Sequence, residues 1–157
     1  MISRRKGIDS INQLKFNENQ LVIHERKTPI GINSFFQKLF QTPFSIMGSV
    51  RKNRARSDIK KLIECKIPIG IQSDSFFENW VDDMSLVCRE FCSFLKDERI
   101  SFWVGSMRGC KRFHVDMVSY RLLVTYAGQG TELLPNEAAD RDAFFKGEPN
   151  KKIIRDK

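Results

Sequence analysis

The sequence predicts an α+β fold in which helices come first and an incomplete antiparallel sheet follows. Two changes of rhythm predict it. Between about Ser75 and Glu98, apolar residues recur at i, i+3, i+4 spacing, the signature of a helix with one buried face. After Arg99 that period gives way to short runs rich in β-branched and aromatic residues, at Ile100–Val104, Arg112–Met117 and Arg121–Tyr126. A chain of 157 residues that is 41% hydrophobic and holds thirteen phenylalanines can bury a real core.

Taken in order, residues 1–32 are polar and irregular apart from the apolar run Leu21-Val22-Ile23, and read as an extension. Ser34 to Phe40 predicts a short helix, because Phe35, Phe36, Leu39 and Phe40 fall at helical spacing before Pro43 interrupts. Asp58 to Cys65 predicts another, ended by Pro68 and Gly70. The long helix opens on Ser75 and Glu78, which fit a capping box. Its stripe is Phe77, Trp80, Val81, Met84, Val87, Cys88, Phe91, Phe94 and Leu95, expected to pack into the core. Three strands follow, the last closed by Gly128-Gln129-Gly130. A shorter helix is expected from Asn136 through Phe145, and the polar tail from Gly147 carries no closing structure. The expected organisation is a basic, partly irregular extension over 1–57 and an α+β domain over 58–157.

Charge is unevenly placed. Residues 1–61 hold thirteen Lys/Arg against four Asp/Glu, and residues 62–157 hold fourteen against fifteen. The basic character peaks at Arg51-Lys52-Asn53-Arg54-Ala55-Arg56. Such a run binds phosphates or anionic surfaces, yet no aromatic residue is interleaved with it, so a solvated basic arm is expected first. No apolar run approaches the roughly 20 residues of a membrane span, and the basic N-terminus has no apolar segment behind it. A cytoplasmic protein with free thiols is expected. Cys88 and Cys92, four apart on the long helix, are expected to be small buried apolar residues.

The chemistry concentrates at Cys110-Lys111-Arg112-Phe113-His114-Val115-Asp116. On a strand, alternate side chains share a face, so His114 and Asp116 would project together, roughly 6–7 Å apart. Cys110 and Arg112 would share that face. An imidazole and a carboxylate are ligands for Fe or Zn, and a thiolate shifts the preference toward Zn. A non-haem Fe(II) site needs two histidines and a carboxylate, and His24 is the one other histidine in the chain. Arg121 is a candidate to orient Asp116 or to bind an anionic substrate or cofactor.

Cys110, Phe113, His114, Asp116, Val118, Arg121-Leu122-Leu123, Thr125-Tyr126, Gly128, Gly130-Thr131-Glu132 and Leu134-Pro135 resemble the core signature of an uncharacterised bacterial family, domain of unknown function 1826. The resemblance extends from the Trp80 helix to about Asp156 and leaves out the basic first third. The family pattern is in turn similar to cupin-type Fe(II) oxygenases, in which an H-x-D on one strand meets a distant histidine. That similarity implies a jelly-roll-like, cupin-like sheet with His114 and Asp116 as metal ligands; beside them Cys110 is a candidate to ligate the metal or to support its ligands, and Arg121 a candidate on the cofactor side. Family members continue into a histidine followed by Arg-Ser-Pro, which implies an incomplete, inactive copy here.

The first expectation is therefore a partial metal site whose intact relatives act as Fe(II)-dependent oxygenases on a small molecule. A zinc-binding or metal-homeostasis protein without catalysis is the second. A nucleic-acid or acidic-partner binder acting through the basic first third is the third.

Overall fold

Four phenylalanine side chains from separate parts of the sequence close around Trp80. The rings of Phe35 and Phe36 meet its indole edge-on at centroid distances of 5.6 and 5.9 Å, and those of Phe44 and Phe77 at 6.5 Å. Edge-to-face packing of this kind sets the electropositive ring edge against the π face. The computed structural model that shows this describes residues 2–6, 21–26, 31–107 and 109–155. It divides into two compact units, residues 1–107 and 108–157.

In the first unit, β1 (Ile2–Lys6) pairs in parallel with β2 (Leu21–Glu25). The run Leu21-Val22-Ile23, expected to be extension, is thus part of a strand. Helix α1 (Ile32–Leu39) follows, burying Ile32, Phe35, Phe36 and Leu39, while Phe40 lies outside it and is exposed. Gly31 opens the helix at φ 84°, and a Cβ there would stand 3.1 Å from the ring of Phe76, so this position takes glycine on both counts.

Strand β3 (Ser45–Arg51) pairs antiparallel with β4 (Arg99–Gly105), from Ser45↔Gly105 to Arg51↔Arg99. A 3-10 turn (Lys52–Arg54) leads into α2 (Ala55–Glu64), whose Ala55, Ile59 and Ile63 form one buried face. The helix starts three residues before the expected Asp58 because the turn runs directly into it. Asp58 locks the junction. It accepts from the Arg51 backbone N–H at 3.0 Å and from the guanidinium at 2.9 and 2.6 Å. The basic run is therefore folded into a strand end, a turn and a helix start, and is not a solvated arm.

A short α3 (Ile69–Gln72) precedes the long α4 (Ser75–Leu95). The expected Ser75–Glu78 capping box is not made. Asp74 caps the helix, accepting from the Phe76 N–H at 3.1 Å and pairing with Lys38 at 2.8 Å. Glu78 instead meets Lys60 at 2.6 Å and Arg56, because two cations of α2 attract it more strongly than one neutral N–H. The helix ends at Leu95, three residues short of Glu98, where Lys96 turns left-handed and the Asp97 N–H returns to the Cys92 carbonyl. Its buried face is Phe77, Trp80, Val81, Met84, Ser85, Cys88 and Cys92. Val87, Phe91, Phe94 and Leu95 of the expected stripe are only half-buried, since a 3.6-residue period rotates a long stripe off the core.

In the second unit, a 3-10 turn (Asn136–Ala138), α5 (Arg141–Phe145) and α6 (Asn150–Ile153) surround the buried Ile153 and Ala139. A single bridge joins Ala139 to Ile154. The strands expected at Arg112–Met117 and Arg121–Tyr126 do not form: both segments are irregular. They have strand-like composition but no partner strand among the described residues, and around Phe113 the Asn150 side chain takes up the backbone groups in place of a ladder. The described strands make two two-stranded sheets, against the roughly eight strands of a jelly roll. The fold is α+β with open sheets. Among the described residues no helix is long and apolar enough to cross a membrane.

Candidate functional site

The segment around His114 is held from outside itself. Asn150, first residue of α6, accepts from the Phe113 N–H at 2.8 Å and donates to the Lys111 carbonyl at 2.6 Å. The Arg112 guanidinium donates to the Phe144 carbonyl at 2.6 Å and the Glu148 carbonyl at 3.0 Å, and lies 5.1 Å from the centroid of the Phe144 ring. These contacts fix both sides of residue 112 and aim its carbonyl. The tail beyond Gly147, expected to close nothing, supplies the clamp.

Two candidate ligands meet on that carbonyl. His114 approaches it through Nδ1 at 2.9 Å, and the Cys110 thiol donates to it at 3.5 Å. A carbonyl oxygen accepts only, so Nδ1 carries the proton, and in the neutral ring Nε2 keeps its lone pair. Nε2 stands 3.6 Å from Asp116 Oδ1. The other carboxylate oxygen is paired with Arg121 Nε at 2.9 Å. His114, Asp116 and Arg121 thus form one constellation, although the strand expected to align them is absent. Their side chains are 48, 34 and 48% exposed, so the site is open to solvent.

Cys110 is exposed, with its sulfur on the Arg112 carbonyl. Among the described residues no three His, Cys, Asp or Glu side chains converge closely enough to hold a metal ion. His24 lies on β2 in the other unit, its Nδ1 buried without a hydrogen-bond partner among the described residues. Arg112 and Asn150 carry no motif that marks them. Their partners are mostly backbone atoms more than 30 residues away, and no spacing rule reaches that far.

The family described as protein of unknown function (DUF1826) matches residues 6–157. This chain belongs to that family. The match begins at residue 6, so it includes the basic first third that the resemblance seemed to leave out, and DUF1826 membership applies to both compact units. No curated protein and no solved structure matches the chain.

Proposed function

We propose that this DUF1826 protein binds Zn(II) at His114, Asp116 and Cys110. The observation that carries the reading is the orientation of His114: its Nδ1–H is spent on a backbone carbonyl and its Nε2 lone pair faces a carboxylate. Metal-ligating histidines are held this way, with the far ring nitrogen donating to a carbonyl and ligating carboxylates themselves hydrogen-bonded. Arg121 supplies the second of these supports. Donors bound at about 2.0–2.2 Å stand roughly 3.0–3.5 Å apart across a tetrahedral or octahedral ion. The 3.6 Å separation needs a shift of about a tenth of an ångström or more.

Cys110 joins by losing its proton. A thiol donates to the Arg112 carbonyl, whereas a thiolate is repelled by it, and a zinc ion deprotonates a coordinating thiol. Binding therefore frees the sulfur to turn toward the ion and releases a proton. The Fe(II) reading fits less well. Its facial triad needs a second histidine, and the second unit contains one histidine; no oxygenase step follows from these residues. Zinc held by these three side chains would be a redox-silent centre with a fourth position left to water, or a buffered store of the ion. The cytoplasm, where thiols stay reduced, suits such a site.

Anaerobic titration of the full chain with Zn(II) and Fe(II), repeated on His114→Ala and Cys110→Ser, tests the reading. Expected are one equivalent of Zn(II) bound in preference to Fe(II), loss of binding in His114→Ala, and weaker binding with less proton release in Cys110→Ser. Equal binding by wild type and His114→Ala overturns it.

A further inference from the structure

The register of β3 and β4 unites what the sequence keeps apart. Trp103 lies directly opposite Met47, Ser101 opposite Ser49, and Arg99 opposite Arg51. Alternation puts these six side chains on the outer face of the two-stranded sheet. Met47 and Trp103 are 75 and 51% exposed, against buried Ile46 and Val50 on the inner face. The basic run Arg51–Arg56 has no aromatic residue of its own, and the pairing brings one within four residues of its start.

The indole is seated in place. Trp103 Nε1 donates to Ser45 Oγ at 2.9 Å, and a Cβ on Gly105 would stand 2.7 Å from Trp103 Cζ2. The ring therefore lies across the bare backbone of Gly105, pinned by one hydrogen bond. Serines 45, 49 and 101 leave the space around it low. A half-exposed tryptophan fixed flat on a sheet, with small polar neighbours, is a stacking surface for an unpaired base.

Two adjoining grooves, of about 610 and 320 Å³, share Arg51, Asp58 and Lys61; the smaller reaches the same sheet face at Ser49 and Arg99, and Trp103 lines neither. Some of their cations are already committed: Arg51 to Asp58, Arg56 to Asp82 and Glu78, Lys60 to Glu78. Arg54 and Arg89 in the larger groove, Arg99 in the smaller, and Lys61 in both have no ion pair among the described residues. These cations stand outside any close ion pair where their neighbours are paired, Arg54 lying within electrostatic reach of Asp58, and they complement a polyanion that tracks along the grooves.

We infer that the outer face of β3–β4 and the adjoining basic grooves bind single-stranded nucleic acid, with a base stacked on Trp103 and phosphates along Arg99, Lys61, Arg54 and Arg89. A duplex hides its base faces and cannot use the indole. A membrane would ask for a broader apolar face than one indole and one methionine set among serines. The inference concerns the first unit and stands or falls independently of the zinc site.

The test uses the full chain and a fluorescent homopyrimidine strand of about twelve nucleotides, read by anisotropy over a salt series. Expected are binding at about 50 mM salt, steep weakening with added salt, and a further loss of roughly ten- to a hundredfold in Trp103→Ala. Trp103→Phe keeps a stacking ring and should stay within a few-fold of wild type. Arg54→Glu with Lys61→Glu, both at the surface, should flatten the salt dependence whatever the fate of the tryptophan variants. Absence of binding at low salt overturns the inference. So does equal affinity in a folded Trp103→Ala, or equally tight binding of a duplex or of phosphatidylserine vesicles.

Discussion

His114 Nε2 and Asp116 Oδ1 stand 3.6 Å apart, with the imidazole steered by the Arg112 carbonyl and the carboxylate by Arg121. An imidazole lone pair facing a carboxylate is a repulsive arrangement until a cation, a proton or a metal ion, sits between them. Arg121 is a positioning residue in this scheme: it touches the carboxylate, not the ion. Arg121→Ala is expected to weaken Zn(II) binding by about 10–100-fold, the usual cost of losing an outer support. Thermal stability should change little, because a half-exposed ion pair contributes about 0–1 kcal/mol. Titration alongside a melting curve separates the two effects.

The four cysteines should split into two classes. Cys65 and Cys110 are exposed, and Cys88 and Cys92 are buried on α4. Burial pushes the Cys88 thiol up to about 12 and raises Cys92 in the same direction, so neither forms thiolate near neutrality. A chromogenic disulfide reagent at neutral pH should therefore titrate two thiols in the native protein and four after denaturation. Zn(II) should protect one of the two fast thiols, Cys110.

Acid should destabilise the first unit in part through Asp58. The Arg51 side chain holds its carboxyl at about 2, below the ordinary value of 3.8. The folded form thus stays ionised where the unfolded chain already takes up a proton. Stability from this pair is present above pH 4, and is lost as pH falls through about 2. Lys38 lowers Asp74, and Lys60 lowers Glu78, which adds to the same trend. Melting temperature should fall between about pH 5 and pH 2. Asp58→Asn should be less stable at pH 7 and show a shallower fall.

Close packing of α2 on β3 depends on the missing side chain of Gly48. A Cβ there would stand 2.6 and 2.7 Å from the two methyls of Leu62. Gly48→Ala is expected to destabilise by about 1–3 kcal/mol through overpacking. Leu62→Ala opens the space again, so the double variant should lose less than the sum of the singles. Denaturant melts of the four proteins close that cycle.

The elements readable from sequence are those whose signal is internal to them. Helix α4 carries its stripe over twenty-one residues and β4 its alternation over seven. Strand β3 has no such signal: Ser45, Gly48 and Ser49 are poor strand formers, and it is a strand because β4 lies beside it. Residues 112–126 show the converse, β-like composition with no partner strand among the described residues. His114, Asp116, Cys110 and Arg121 are visible as chemistry-bearing types, but the route by which His114 meets Asp116, and by which Cys110 shares a carbonyl with His114, is different. It runs through the carbonyl of Arg112, held by Asn150, Phe144 and Glu148, and not through strand alternation.

The protonation state of one ring bears most directly on the zinc reading. A long-range 15N–1H spectrum of histidine-labelled protein at alkaline pH, recorded before and after one equivalent of Zn(II), should show His114 with its proton on Nδ1. Zn(II) should then shift Nε2 while Nδ1 stays protonated. A His114 ring protonated on Nε2, or an Nε2 resonance that zinc leaves unmoved, would contradict the account.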